Sequence, residues 1–500
     1  VIKRLLIANR GEIAIRIVRA CRELGVESVA VYSEADKHSP HAAAADRAIC
    51  IGPAASRDSY LSIPSIVGAA VTTGADSVHP GYGFLSENAA FAAACERAGL
   101  VFVGPPSSVI ARMGSKIEAR QLMQSAGVPV VPGETPDDQS DQGIRRAIDR
   151  LGLPALIKAS AGGGGKGMRR VVEANEIADA VQEARREATS AFGDGTLYVE
   201  RLIERPRHVE VQILADRHGH VMHLFERECS VQRRHQKVIE ESPSPVLTPR
   251  LRSRITETAV QAAAAVGYLN AGTIEFLLDR PDRPGAEPRF HFLEMNTRLQ
   301  VEHPVTEEVT GLDLVRAQLI VASGEPLPWV NPPTQRGHAI EGRVYAEDPA
   351  RGFLPQAGRV LLYREPRSPG VRIDSGIALG AEVSVHYDPL LAKVIASAES
   401  RDLARVRLIA ALRDFPILGV HTNIPFLLRI LEHPRFRAGE VDTAFLDSEG
   451  ASLADADTPE PPAFVLAAMA AADGSADAPT GTAEPQRAWD PWRQLPGWRS

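Results

Sequence analysis

The chain has 500 residues, 44% apolar and 24% charged, an ordinary globular composition too long for one core, so about three packed units are expected. Its 56 basic and 63 acidic residues leave a net charge of −7, which excludes the dominant basic face that broad nucleic-acid binding needs. No apolar run approaches the roughly 20 residues of a membrane span, and the first residues run into a strand-like stretch with no cationic leader. Four widely separated cysteines (Cys21, Cys50, Cys95, Cys229) contain no C-x-x-C pair, so inert thiols in a reducing cytoplasm are expected.

Along the chain, Leu5-Leu6-Ile7-Ala8 reads as a strand, and Ile13, Ile17, Cys21 and Leu24 recur at helical spacing before a C-capping Gly25. Strands at Val29–Val31, Ser77–His79 and Leu100–Val103 then predict a parallel sheet with crossover helices. A helix over about Ser108 to Ala126 leads to a polar loop, Gly133 to Gly143, placed at a domain boundary. A small α+β unit runs to about Leu202, and a larger unit of strands and amphipathic helices from 203 to 447. Residues 451–487, rich in Ala, Asp, Pro, Gly and Thr, cannot bury enough apolar area to order themselves. Trp489, Trp492 and Trp498 read as the start of a further packed element, with a tail docked on the body as the plainer alternative.

Four constellations carry chemistry. In Ala161-Gly162-Gly163-Gly164-Gly165-Lys166-Gly167-Met168, glycines let consecutive N–H groups turn toward one anion, and Lys158 and Lys166 add charge suited to phosphates. The loop joins two strand-like segments, which favours a hinged lid over a linker; Gly167 after Lys166 rules out a Walker P-loop. Glu275, Glu294 and Asn296 lie in apolar strands, with Glu294 and Asn296 on one face. The turn-rich segment Asp279 to Pro288 could fold them into a hairpin, and their oxygens suit Mg2+ on nucleotide phosphates. Arg298, Gln300 and Glu302 alternate, so an extended segment projects all three to one side, a guanidinium fork for a carboxylate-like anion beside a base. Arg227 to Lys237 is either a solvated basic loop, the plainer reading of a charge run, or a cationic wall for anionic substrates.

The segments Ile7–Ala14, His79–Asn88, Gln232–Lys237 and Glu294–Pro304 resemble the motifs of biotin carboxylases, in order over about residues 2–447. The resemblance implies an α/β ATP-grasp fold. Its expected parts are a Rossmann-like domain (1–103), a helical linker (104–130), a lid with the glycine loop (131–202) and a C-terminal domain (203–447). A flexible linker (448–487) and the start of a truncated domain (488–500) follow. The resemblance also assigns Lys116, Lys158, the glycine loop, Glu200, Leu202, Ile203, His208, Gln232, His235 and Leu277 to ATP. It gives Glu275, Glu294 and Asn296 to Mg2+ or Mn2+, and Lys237, Arg298, Gln300 and Val301 to bicarbonate. Tyr82 and Arg343 go to biotin, and Glu302 is the general base. Ala161 stands where many relatives have glycine and Gly342 where many have cysteine or another small residue; both stay small.

By the same resemblance, Glu302 deprotonates bicarbonate, which attacks the γ-phosphate of ATP to give carboxyphosphate; this breaks down to CO2 and phosphate. Phosphate then takes the N1 proton of biotin, and the enolate, held by Arg343 and Arg298, captures CO2. Other ATP-grasp ligases, the corresponding domain of a pyruvate carboxylase and a non-catalytic nucleotide-sensing domain are the alternatives. No Met-Lys-Met occurs, so biotin is expected on a separate carrier domain. The tryptophan-rich end favours an acyl-CoA carboxylase α subunit in a larger complex with a carboxyltransferase β subunit, without nucleic acid or membrane.

Overall fold

The N-terminal apolar runs build a five-stranded sheet in the computed structural model, which describes residues 1–160, 167–279, 286–329, 331 and 333–454. Strands β1 (Arg4–Ile7), β2 (Glu27–Tyr32), β3 (Arg47–Cys50), β4 (Ser77–His79) and β5 (Val101–Phe102) lie in the order β3-β2-β1-β4-β5, all parallel. Helix α1 (Gly11–Leu24) crosses from β1 to β2 and ends at Gly25, whose φ of 67° suits glycine in a left-handed cap. The strand order reverses between β1 and β4, and a parallel sheet opens a crevice there, beyond its carboxyl ends. Asn9 to Glu12 follow β1, and Tyr82 to Phe84 follow β4, at that crevice.

The single helix expected from Ser108 to Ala126 is two helices, Ser107–Gly114 and Lys116–Ser125. Ser115 breaks it: its Oγ accepts the Glu118 N–H at 3.3 Å and caps the second helix anew. Beyond it, β6 (Gly133–Glu134), β7 (Ala155–Ala159), β8 (Arg169–Val171) and β9 (Leu197–Arg201) form an antiparallel sheet ordered β6-β9-β7-β8. Ile144 and Ile148 of helix Asp141–Leu151 and Val181 of helix Ile177–Phe192 pack with Ile157 and Val199 of this sheet into a core of their own. The glycine loop joins β7 to β8, and residues 161–166 lie outside the described residues.

The largest sheet has eight antiparallel strands. It runs β14 (Phe290–Asn296), β13 (Asn270–Leu278), β10 (Arg207–Ala215), β11 (Val221–Arg233), β12 (Gln236–Ser242), β15 (His338–Tyr345), then Leu390–Ala398 and Val371–Ser375. Period-2 geometry divides β10: Val209, Val211 and Ile213 pack with Leu251, Ile255 and Ala259 of helix Pro249–Val266, leaving His208, Glu210 and Gln212 for the other face. Each fully buried aliphatic side chain contributes about 1.5–3 kcal/mol. That apolar face therefore anchors the strand while its polar face builds the site.

Helix Phe445–Ala454 runs across the boundary expected at 447; Phe445, Leu446, Leu453 and Ala454 join the C-terminal core, so the order reaches into the expected linker. The rest of that linker, the tryptophans, and residues 280–285 of the expected turn lie outside the described residues. Cys21, Cys95 and Cys229 are buried and Cys50 is exposed; all four are free. Among the described residues no helix is long and apolar enough to cross a membrane.

Candidate active site

A cavity of about 1660 Å³ opens at the crevice, walled by the β7–β9 sheet, the loops after β1 and β4 and the polar face of the eight-stranded sheet. At one end lie Lys116, Lys158, Met168, Leu202, Ile203 and Leu277, with Leu156 and Tyr198 adding apolar surface. Gly167 (φ 69°) sits behind, its carbonyl accepting the Ala159 N–H at 3.1 Å. Glu200 does not line the cavity. Its carboxylate accepts Lys158 Nζ at 2.5 Å and Arg120 Nη1 at 2.8 Å, so Glu200 orients a lysine while Leu202 and Ile203 present the surface. Burial opposes the charge on Lys158, but Glu200 outweighs it and raises the pKa. Burial lowers that of Lys116 despite the pull of Glu294.

The carboxylate wall follows from strand register. Glu275 of β13 stands directly opposite Glu294 of β14, and Thr273 opposite Asn296. Asn296 Nδ2 donates to Glu275 Oε1 at 2.8 Å, and His208 Nε2 lies 3.0 Å from Glu275 Oε2. Burial pushes the Glu275 carboxyl up, but Lys237 and His208 hold it well below the usual range. Glu294 has less relief: burial and the Glu275 charge push it up against the pull of Lys116 and His208, and it makes no ion pair with any described residue. An oxygen-only set one cation short of balance fits Mg2+ or Mn2+. The tighter groups His208–Glu210–Glu275 and Glu210–Cys229–Glu302 bracket the Lys237 ammonium, which already supplies their cation.

Lys237 is the hub of the far end. Its Nζ donates to Glu275 at 2.9 Å, to Glu302 at 2.6 Å and also to Glu210. Arg298 donates from Nε to Glu87 at 2.8 Å and from Nη1 to Gln300 Oε1 at 2.8 Å, and Arg298, Gln300 and Val301 line the cavity. The expected extended projection of Arg298, Gln300 and Glu302 does not hold. The chain turns at Val301–Glu302 into the helix starting at His303-Pro304, with Glu302 at the N-cap position but making no capping hydrogen bond, and its side chain has no exposed surface. There Arg343 Nη2 meets Glu302 Oε2 at 3.0 Å. Burial pushes Glu302 up, yet Lys237, Arg343 and Arg227 hold it ionised, well below its ordinary value. Tyr82 and Arg343 line the same end.

Arg227 to Lys237 is not a solvated loop. It is the turn half of the β11–β12 hairpin, turning at Arg234 and His235, both at positive φ, with Gln232 and His235 on the cavity. Arg227 is fully buried and donates to Glu210 at 2.6 Å, Gln212 at 2.8 Å and Thr306 at 2.9 Å. Sequence reasoning missed Glu210, Glu240 and Glu87. Glu210 carried a readable signal, an acid between valines like Glu275, and the two are cross-strand partners.

Three family models match in chain order: biotin carboxylase, N-terminal domain, over residues 1–110; carbamoyl-phosphate synthase L chain, ATP binding domain, over 115–330; and biotin carboxylase C-terminal domain over 341–448. Biotin carboxylase 2 of Bacillus subtilis is 51% identical over 444 residues, 89% of this chain and 98% of that protein. The chain belongs to the biotin carboxylase family. This is a family of ATP-dependent ligases with the ATP-grasp fold. The mitochondrial methylcrotonoyl-CoA carboxylase subunit alpha of Mus musculus is 50% identical over 89% of this chain, which spans only 62% of that subunit. Among solved structures, a biotin carboxylase–βγ-ATP complex from Campylobacter jejuni superposes with a TM-score of 0.86 at 44% identity, covering 90% of this chain and 99% of that one. The biotin carboxylase domain of Hydrogenobacter thermophilus 2-oxoglutarate carboxylase, solved with MgADP, ADP and bicarbonate, gives 0.85 at 42% identity, covering 90% and 98%.

Proposed function

We propose that the chain carries out the first half-reaction of an acyl-CoA carboxylase, the MgATP-dependent carboxylation by bicarbonate of biotin on a carrier domain. The observation that carries this is Glu302 held between Lys237 at 2.6 Å and Arg343 at 3.0 Å, where Lys237 also joins it to Glu275 of the carboxylate wall. Lys116, Lys158, His208, Gln232, His235 and the glycine loop bind ATP against Leu202, Ile203 and Leu277. Glu275, Glu294 and Asn296 would hold Mg2+, which would supply neutralisation of phosphate charge. Arg298, Gln300, Val301 and Lys237 hold bicarbonate, and Glu302 takes its proton as the oxygen attacks the γ-phosphate, giving ADP and carboxyphosphate. Carboxyphosphate breaks down to CO2 and phosphate; phosphate removes the N1 proton of biotin, and Arg343 steadies the enolate that captures CO2. Closure of the 131–202 lid excludes water from the short-lived intermediate.

The carrier domain and a carboxyltransferase β subunit complete the enzyme in this reading. The four free thiols support a cytoplasmic setting. The same reading takes 1–103 as the Rossmann-like domain, 104–130 as linker and 203 to 454 as the C-terminal domain, whose core includes helix Phe445–Ala454. The test is ADP release from MgATP with bicarbonate and biotin added singly and together. Release that needs bicarbonate and rises with biotin is expected; release indifferent to bicarbonate overturns the proposal.

A further inference from the structure

Lys393 lies in the middle of strand Leu390–Ala398 with no exposed surface and does not line the cavity. The register sets it directly opposite Arg343 on one side and Asp374 on the other. Its Nζ donates to the Val301 carbonyl at 2.9 Å, in the turn between Gln300 and Glu302. The same Nζ lies 3.1 Å from Glu12 Oε1, on the first turn of α1, and that oxygen also accepts the Tyr82 hydroxyl. The other Glu12 oxygen is buried without a hydrogen-bond partner, so Oε1 carries both links.

A fully buried ammonium persists only where fixed partners offset its desolvation. Charge balance alone needs no contact to a neutral backbone carbonyl, since Glu12 and Asp374 (3.8 Å) already face Lys393. Yet it reaches Val301, and through Glu12 it reaches Tyr82. One side chain thus joins three elements: the turn bearing Gln300 and Glu302, the start of α1 and, through Glu12, the loop after β4.

We propose that Lys393 is a positioning residue that fixes the Tyr82 wall and the Val301 turn relative to one another, setting the distance between the acceptor and the carboxyl donor. This rests on the biotin carboxylase reading of the two walls. If the walls drift, carboxyphosphate still forms but its CO2 escapes capture, and the reaction uncouples. Misplacements of about 1 Å in such sites cost roughly a hundredfold.

The test is steady-state kinetics of the full chain with MgATP, bicarbonate and free biotin, measuring ADP and carboxybiotin separately. Lys393→Met is expected to raise KM for both bicarbonate and biotin roughly tenfold or more, to raise ADP formed per carboxybiotin, and to leave KM for ATP within about twofold. Glu12→Gln, which keeps the size and hydrogen-bonding capacity of the side chain and leaves Asp374 facing Lys393, should raise KM for biotin alone, and Lys393→Arg should recover part of the coupling. A merely structural lysine would lower the melting temperature and the yield of active enzyme without moving the ADP to carboxybiotin ratio, and that outcome overturns the proposal. So does an unchanged biotin KM in Glu12→Gln, which decides the matter if Lys393→Met does not fold. A wild-type chain without bicarbonate-dependent ADP release overturns the function reading instead, and this inference with it.

Discussion

Glu302 and Arg343 meet at 3.0 Å beneath the cavity wall, and the same guanidinium turns its Nε to Glu240 at 2.6 Å. Two carboxylates therefore share one arginine, while Glu302 shares Lys237 with Glu210 and Glu275. Protonating Glu302 leaves both cations paired, so this carboxylate can change charge without stranding a buried ion.

That arrangement makes Glu302→Gln a clean substitution. Lys237 keeps Glu210 and Glu275, and Arg343 keeps Glu240, so the fold should persist. Bicarbonate-dependent ADP release is expected to fall by roughly 10²–10⁴-fold, the usual worth of a general base. ATP binding measured by calorimetry should be unchanged. Near-normal turnover in this variant removes Glu302 as the base.

The carboxylate wall was legible because two acids in apolar strands, with a turn between them, leave one register that pairs them, and Glu275 does face Glu294. Glu302 reaches the cluster by a different backbone path than alternation assumes: the chain turns into the helix at His303-Pro304, yet Lys237 still joins Glu302 to Glu275, the carboxylate beside Gln300. Glu210, flanked by valines, carries the same signal, whereas Glu240, followed by Glu241 and Ser242, reads as a solvent-facing residue until both sheet faces are covered. Lys393 was unreadable for another reason: its partners, Glu12 and Val301, come from distant parts of the chain, and no local pattern encodes that meeting.

Burial, against the pull of Arg343, raises the Glu240 carboxyl from 4.5 to about 7. Between those values the folded chain holds a proton that the unfolded chain has lost. The stabilisation is complete below about pH 4.5 and is lost as the pH climbs through about 7. Glu240→Gln mimics the protonated side chain and loses this dependence. Its melting temperature relative to wild type should therefore rise between pH 5 and pH 8, by about 2 °C or more. A difference constant across that range, followed by scanning calorimetry, contradicts the raised value.

Glu200 balances two buried cations, Arg120 and Lys158, with all three side chains less than a tenth exposed. Removing one partner of a buried network costs about 3–5 kcal/mol. Glu200→Ala should lower stability by about that amount in denaturant titration and weaken ATP binding by releasing Lys158. Glu200→Gln keeps hydrogen-bonding capacity and should lose less of both. Equal losses in the two variants would make packing, rather than charge, the contribution of this residue.

Glu294 makes no ion pair with any described residue, and the pull of Lys116 and His208 does not offset its burial. Burial and the facing Glu275 raise its pKa, so in the metal-free protein it works against the fold. Glu294→Gln removes that repulsion while keeping size, so the metal-free melting temperature should hold or rise. The same change removes an oxygen anion from the set proposed to hold Mg2+, and the Mg2+ concentration for half-maximal ADP release should rise at least roughly tenfold. The two readouts move in opposite directions only if the carboxylate is retained for the metal. A variant that melts lower with an unchanged Mg2+ requirement would instead place Glu294 in the scaffold.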